Sequence, residues 1–244
     1  MQHLAWNRHF SSATLIAVAI AQLTGVSACS TTAQKSVSQT SNPLSVEAGS
    51  SQTMDHGSMH HGSMTEMEHQ AAMDLGPADV NYDLRFIDAM IPHHQGAIVM
   101  AKAALQQSQR SEIKTLAQAI ITAQSREINQ LMQPWRQSWY PSAAATPMAY
   151  DRQQGKMLPM SASQKSSMMM ATDLGTADAQ FDLRFINAMI PHHEGAIVMA
   201  KDALNKSKRP EIQQLAREII ASQQAEIAQM QKWRRQWYGK SGQP

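Results

Sequence analysis

Apolar residues recur every three or four positions along two stretches of this chain, and the same pattern returns 99 residues later. In the first stretch Phe86, Met90, His93, His94, Ala97, Ile98, Ala101, Ala104 and Leu105 share a stripe. In the second, Ile113, Leu116, Ala117, Ile120, Gln124, Ile128, Met132 and Trp135 share another. The period is helical, so each repeat is predicted to be two amphipathic helices joined by a polar turn at 107–111. One hairpin of this length buries little apolar surface. Two of them, at 74–140 and 173–238, predict an all-α fold: a four-helix bundle made of two repeated helical hairpins.

The repeat is close in detail. Asp74-Leu75-Gly76 returns as Asp173-Leu174-Gly175, and Asp83-Leu84-Arg85-Phe86-Ile87 as Asp182-Leu183-Arg184-Phe185-Ile186. Glu127-Ile128 matches Glu226-Ile227 at the same offset, but Met132, Trp135 and Trp139 match Met230, Trp233 and Trp237 at an offset of 98. The first copy therefore carries one extra residue after Ile128. Pro210, just before Glu211-Ile212, suits the first turn of a helix. The joining segment 141–172 holds Pro141, Pro147, Gly155 and Pro159 and reads as a linker. It is rich in methionine, with Met148, Met157, Met160 and the run Met168-Met169-Met170. Its length allows the hairpins to pack with either pairing of ends.

The stretch Met90-Ile91-Pro92-His93-His94, continuing to Met100, recurs as Met189-Ile190-Pro191-His192-His193, continuing to Met199. An imidazole in an apolar helix needs a hydrogen-bond partner or a metal, so an adjacent pair is a poor way to fill a core. The pattern predicts a metal site, built once in each unit. His93 and His94 point about 100° apart on a helix. Either one binds metal while the other faces the second helix, or the pair serves two ions. Folding each hairpin at its turn brings Gln124 and Glu127 beside the first pair, and Gln223 and Glu226 beside His192 and His193. These are either partners of ligating histidines or solvated residues at the bundle edge. Met90, Met100, Met189 and Met199 are candidate thioether ligands, although a methionine at helical spacing also serves as core. Met132 and Met230 are read as core. The tryptophans are expected to cap the bundle against Tyr82, Phe86, Phe181 and Phe185, and Asp83 and Asp182 to sit in first helical turns, favoured by the dipole. A proline inside a helix costs ~3 kcal/mol relative to alanine. Pro92 and Pro191 either kink their helices to aim the histidines or open the helix proper.

Composition changes the picture upstream of the repeats. Eighteen of 244 residues are methionine, one is cysteine, and the net charge is +2 without a basic run, so nucleic acid is not an expected partner. Residues 1–28 read as a secretory signal. Val26-Ser27-Ala28-Cys29 has the form of a bacterial lipobox, so Cys29 is a candidate for lipidation, and the membrane is expected to be engaged only through that anchor. Residues 29–73 read as a disordered linker rich in Met and His, and 239–244 as a short tail. Within that linker, 54–69 holds four Met and four His with no core to join. Met54, His56, Met59, His60, His61, Met64 and His69 form a soft-to-borderline donor set that suits Cu(I) or Ag(I). A loose Zn(II) or Ni(II) tract would not need the methionines.

The pattern Asp-x-x-Phe-Ile-x-x-Met-Ile-Pro-His-His-x-x-Ala-Ile-x-Met-Ala, with Gln-x-x-Glu-Ile and Trp-x-x-x-Trp after it, closely resembles the family called domain of unknown function 305. The resemblance covers both repeats and implies a ferritin-like bundle, export to the periplasm or cell surface, and Cu(I) or Ag(I) held by Met and His. The copies differ at Asp88, which becomes Asn187, and at Gln95, which becomes Glu194. The expected function is a copper-binding protein of metal resistance or homeostasis, not an enzyme, with copper ions and copper donor or acceptor proteins as partners. A di-iron bundle would need four carboxylates and a Glu-x-x-His on two helices, a pattern this sequence lacks. A copper oxidase or zinc hydrolase would need a nucleophile, base and orienting group, a constellation not visible here. A structural bundle with hydrogen-bonded histidines is the other alternative.

Overall fold

Helix α1 spans Tyr82–Gln107 and α2 spans Ser111–Arg126. The chain continues without a break through a π-helical stretch, Glu127–Met132, into α3, Gln133–Trp139. A two-stranded antiparallel hairpin follows, β1 Met148–Asp151 and β2 Lys156–Pro159, then the short helix α4, Ala162–Met169. The second unit is α5, Phe181–Lys206, and α6, Pro210–Tyr238. This is a computed structural model, and it describes residues 73–239. The signal, Cys29 and the Met/His stretch from Met54 to His69 lie outside the described residues. The fold is all-α, with four long helical rods in two hairpins.

Pro92 and Pro191 lie well inside α1 and α5, each of which runs on through its proline. The alternative in which proline opens the helix is therefore set aside. The extra residue of the first copy has a visible consequence. It falls in the π-helical stretch, whose wider turn absorbs one residue and returns Met132 and Trp135 to register. In the second copy the same span of α6 is plain α-helix.

The hairpins pack with opposite ends together. Tyr82, Phe86, Ile87 and Met90 from the start of α1 share an apolar cluster with Met199, Ala200 and Ala203 from the end of α5 and Ile212, Leu215 and Ile219 of α6. A second cluster joins Met100, Ala101 and Ala104 to Phe181, Phe185 and Met189. Helices α1 and α5 are thus antiparallel, and contacts related by the repeat occur in reciprocal pairs. Arg110 reaches Asp182 at 3.5 Å and lies 4.2 Å from the Trp237 ring; Arg209 reaches Asp83 at 3.3 Å and lies 4.1 Å from the Trp139 ring. Asp83 and Asp182 are therefore more than dipole partners: they fasten one hairpin to the other. The tryptophans stack in pairs, Trp135 on Trp139 and Trp233 on Trp237. Each pair covers the cluster that contains its own unit's phenylalanines.

The segment 141–172, read as a linker, carries β1, β2 and α4. A capping box starts α4: Ser161 Oγ accepts from the Gln164 amide, and Gln164 Oε1 accepts from the Ser161 amide. Asp88 on α1 ties the hairpin down. Its carboxylate accepts from Arg136 and from the Met148 amide at 2.8 Å.

Two glycines make the α1–α5 crossing close. A Cβ on Gly96 would overlap the Met169 carbonyl oxygen and come within 3.2 Å of His192 Nε2. A Cβ on Gly195 would meet His93 Nε2 at 3.2 Å and the flexible Met170 thioether at 3.4 Å. Alanine should gain about 1 kcal/mol of helix propensity at either site. At Gly96 the backbone clash should outweigh this, for a net loss of about 1–3 kcal/mol, whereas Gly195→Ala should stay within ~1 kcal/mol of the parent. Urea denaturation of both variants checks the asymmetry, and equal effects would contradict it.

Candidate metal centre

At the α1–α5 crossing His93 faces His192, with ring centroids 3.9 Å apart and planes tilted by 51°. Both are buried, at 0 % and 1 % exposure. Neither ring nitrogen of His93 has a hydrogen-bond partner among the described residues. His192 Nε2 lies 3.1 Å from the Met169 carbonyl oxygen, which can only accept, so Nε2 carries the proton and Nδ1 holds the lone pair. That Nδ1 has no partner either. Burial, followed by the nearby His192, His94 and His193, holds His93 well below the usual histidine range. Burial first, then His193, pushes His192 down to about 3. Both imidazoles are neutral at physiological pH, the form that binds metals.

The second histidine of each pair turns to its own hairpin. His94 Nε2 is 2.6 Å from Glu127 Oε2, and His193 Nε2 is 2.7 Å from Glu226 Oε2. Glu127 is the first residue of the π-helical stretch. Gln124 and Gln223 are buried one turn earlier with Oε1 unpartnered. The alternative of solvated edge residues does not describe them. Antiparallel packing of the hairpins brings the first histidine of each pair, His93 and His192, together at one crossing, where a separate site in each unit was expected.

Two methionines at this crossing were not among the ligands expected from sequence. Met170 Sδ and Met73 Cε crowd the same point above Gly195 as His93 Nε2, within 3.4 and 3.5 Å of it. Both residues lie outside the helical stripes; the Met168-Met169-Met170 run signalled Met170, and nothing in the pattern signalled Met73. The helical methionines lie inside the two apolar clusters instead, Met90 and Met199 in one, Met100 and Met189 in the other, with Met132 and Met230 likewise divided. Among the described residues, no three His, Cys, Asp or Glu side chains gather as a metal site. The donors here are neutral nitrogen with thioether sulfur, a set that fits a soft ion.

The histidine shifts fix a pH dependence for the metal-free protein. The unfolded imidazole titrates near 6.5, while His192 in the fold titrates at about 3. Below about 6.5 the unfolded chain binds protons that the folded one refuses, so stability falls as pH drops, by up to about 1.4 kcal/mol per pH unit for each histidine. Urea denaturation at pH 7, 6 and 5 should show this loss, and a smaller one in His192→Leu. A flat profile in the parent would contradict the buried, neutral state.

Over 64 % of this chain, the structure resembles CopM in the Cu(II)-bound form, at 41 % identity and a TM-score of 0.52, covering 97 % of that chain. CopM in the Ag-bound form by co-crystallization gives 40 %, 0.51 and 98 %, and in the Cu(I)-bound form 39 %, 0.50 and 98 %, each over 64 % of this chain. An uncharacterized protein, L153 of Acanthamoeba polyphaga mimivirus, is 53 % identical over 49 residues, 20 % of this chain. The match spans about a third of that relative's length. The model of the domain of unknown function DUF305 matches residues 17–133 and again 83–234, and the chain belongs to that family.

Proposed function

We propose that this is an extracytoplasmic copper-binding protein that sequesters Cu(I), and Ag(I) by the same chemistry, for metal resistance or homeostasis. The observation that carries it is His93: two buried, unpartnered ring nitrogens beside a neutral imidazole, with the Met170 thioether against the same face of Gly195 as Nε2. An orphaned polar atom in a dry core costs about 1–3 kcal/mol, and coordination would offset that cost. The similarity to CopM, solved with copper and with silver, supports the choice of ion. In this reading His93, His192 and Met170 hold the ion, with Met73 beside them. His94 and His193, each paired with a glutamate, brace the helices around it, and Gln124 and Gln223 offer unpartnered oxygens to the same layer. Met90, Met100, Met189 and Met199 serve packing first.

The N-terminal region adds two elements to the proposal. The tract Met54, His56, Met59, His60, His61, Met64 and His69 would catch ions before the bundle does, and a lipid on Cys29 would hold the chain at a membrane. No helix among the described residues is long and apolar enough to cross one. In this reading copper is the protein's cargo.

Anaerobic competition titration against a Cu(I) chelator, with Zn(II) and Fe(II) in parallel, tests the centre. His93→Ala with His192→Ala should weaken the tightest Cu(I) equivalent by at least about 100-fold, and Met170→Leu should weaken it measurably at constant volume. Met100→Leu with Met199→Leu should change it by less than about threefold, as a volume-conserving swap in apolar surroundings. Unchanged affinity in the double histidine variant would show the pair to be structural. For the N-terminal region, deleting residues 54–69 should lower Cu(I) stoichiometry while far-UV circular dichroism stays constant, and Cys29→Ala should release the protein from membranes. Unaltered stoichiometry and unaltered partitioning would remove those two elements.

A further inference from the structure

The buried histidine pair is closed to solvent, yet three methionines outside the helical stripes line a cavity of about 200 Å³ between α1, the β-hairpin and α4. They are Met148 on β1, Met160 just after β2, and Met168 on α4. Each is set there by backbone. Met148 donates its amide to Asp88 at 2.8 Å, and Met160 donates to the Pro147 carbonyl at 2.7 Å, which places the two beside each other at the open end of the hairpin. The charged side chains lining the same cavity are Asp74 and Arg85, and both are engaged elsewhere. Asp74 accepts from the Gly76 amide and pairs with Arg152; Arg85 donates to the Leu75 and Pro77 carbonyls and to Asp79. Tyr150, Ser163, Gln164 and Ser167 add neutral hydroxyl and amide groups to the wall, so what the cavity offers is three thioethers among uncharged polar groups.

We propose that Met148, Met160 and Met168 form a second soft-metal site, a three-thioether entry point for Cu(I) or Ag(I) at the mouth of the buried centre. Three thioethers select soft monovalent ions over the hard divalent cations that carboxylates and carbonyls would take. Met168 belongs at once to the cavity wall and to the apolar cluster that Met73 shares and Met170 packs against. The run Met168-Met169-Met170 therefore joins the cavity to the histidines in three consecutive residues: Met169 through its carbonyl on His192, Met170 through its sulfur near His93. Met170 adopts φ 47° and ψ 26°, and it is the one residue other than glycine at positive φ among the described residues. That conformation is unfavourable for a side chain with a Cβ, and strain of this kind persists where the surroundings hold it for a purpose. Here it ends α4 and directs the chain from the cavity to the crossing. Binding at the three methionines stands alone, while their role as an entry point rests on the reading of the histidine pair as the acceptor.

The test is Ag(I) titration of the full chain labelled with ¹³C at the methionine ε-methyls, followed by NMR. The methyls of Met148, Met160 and Met168 should shift together, and should still shift in His93→Ala/His192→Ala. In Met148→Leu/Met160→Leu the Met168 shift should fall at least threefold while the Met170 methyl still responds. Met148 and Met160 methyls that stay fixed at saturating Ag(I) would overturn the site. So would a Met168 response that disappears with the histidines, since it would then report only the buried centre. Shifts at the three methionines without any response at Met170 in the parent would support the cavity site and overturn the central reading, so the two failures are distinguishable.

Discussion

The fold depends on one contact between two uncharged imidazoles at the crossing of α1 and α5. Rings 3.9 Å apart in a dry core cannot both be protonated, because two cations would repel in a medium that screens them poorly. Folding therefore demands neutral histidines, and neutral histidines carry free lone pairs. The crossing has little freedom to adjust. Gly96 and Gly195 admit the opposing rings where a Cβ would press on them. The reciprocal pairs Arg110–Asp182 and Arg209–Asp83 fix the register from both ends. A slip of one helical turn, 5.4 Å, would break both pairs and part the imidazoles. The requirement of stability and the presentation of nitrogen donors are met by the same atoms.

The scaffold is nearly two-fold, but the centre is not. His192 is tied to the Met169 carbonyl, while both His93 nitrogens are unpartnered among the described residues, and the Met170 thioether lies against the same face of Gly195 as His93 Nε2. The break in symmetry comes from the segment between the units, which exists once and can reach only one side of the crossing. The difference between the copies at Asp88 and Asn187 follows from it. Asp88 must accept both the Arg136 guanidinium and the Met148 amide that anchors β1, whereas among the described residues Asn187 accepts from Arg234, at 3.3 Å. Burial opposes the ionised form of Asp88 and raises its pKa, while Arg136 and the Met148 amide act the other way. A carboxylate is kept where a strand has to be fastened, and an amide suffices where none is present.

Elements whose signal is local were legible in the sequence. The three-and-four spacing located the long helices, turn counting put Gln124 and Glu127 beside the first histidine pair, and the shift in offset after Ile128 marked the residue absorbed by the π-helical stretch. The meeting of the two histidine pairs was not legible, because periodicity within a helix carries no information about which ends of two hairpins adjoin. The relevant signal was there in Asp83, Arg110, Asp182 and Arg209, but opposite charges far apart in sequence identify a partner only once the topology is known. Helix α4 was hidden for another reason: among Ser, Gln and Met it has little amphipathic pattern, and its start was announced only by Ser161-x-x-Gln164. With α4 unseen, Met170 and Met73 could not be connected to the histidines.

The electrostatics of the centre favour a monovalent ion on grounds separate from softness. The cost of moving an ion from water into a poorly polarisable interior grows with the square of its charge, so a divalent ion bears about four times the penalty of a monovalent one and survives burial when anionic ligands compensate it. His93, His192 and Met170 bring no negative charge. The carboxylates in this layer, Glu127 and Glu226, are held by His94 and His193 at 2.6 and 2.7 Å. A divalent ion would have to draw one of them inward and leave a buried imidazole unpaired, exchanging one orphaned group for another. Cu(I) and Ag(I) would ask for no such rearrangement, because on the proposed ligand set neutral nitrogen and sulfur would satisfy them. On the proposed ligand set the glutamates would act as a filter through what they are already bonded to: they would keep negative charge away from the ion while bracing the bundle.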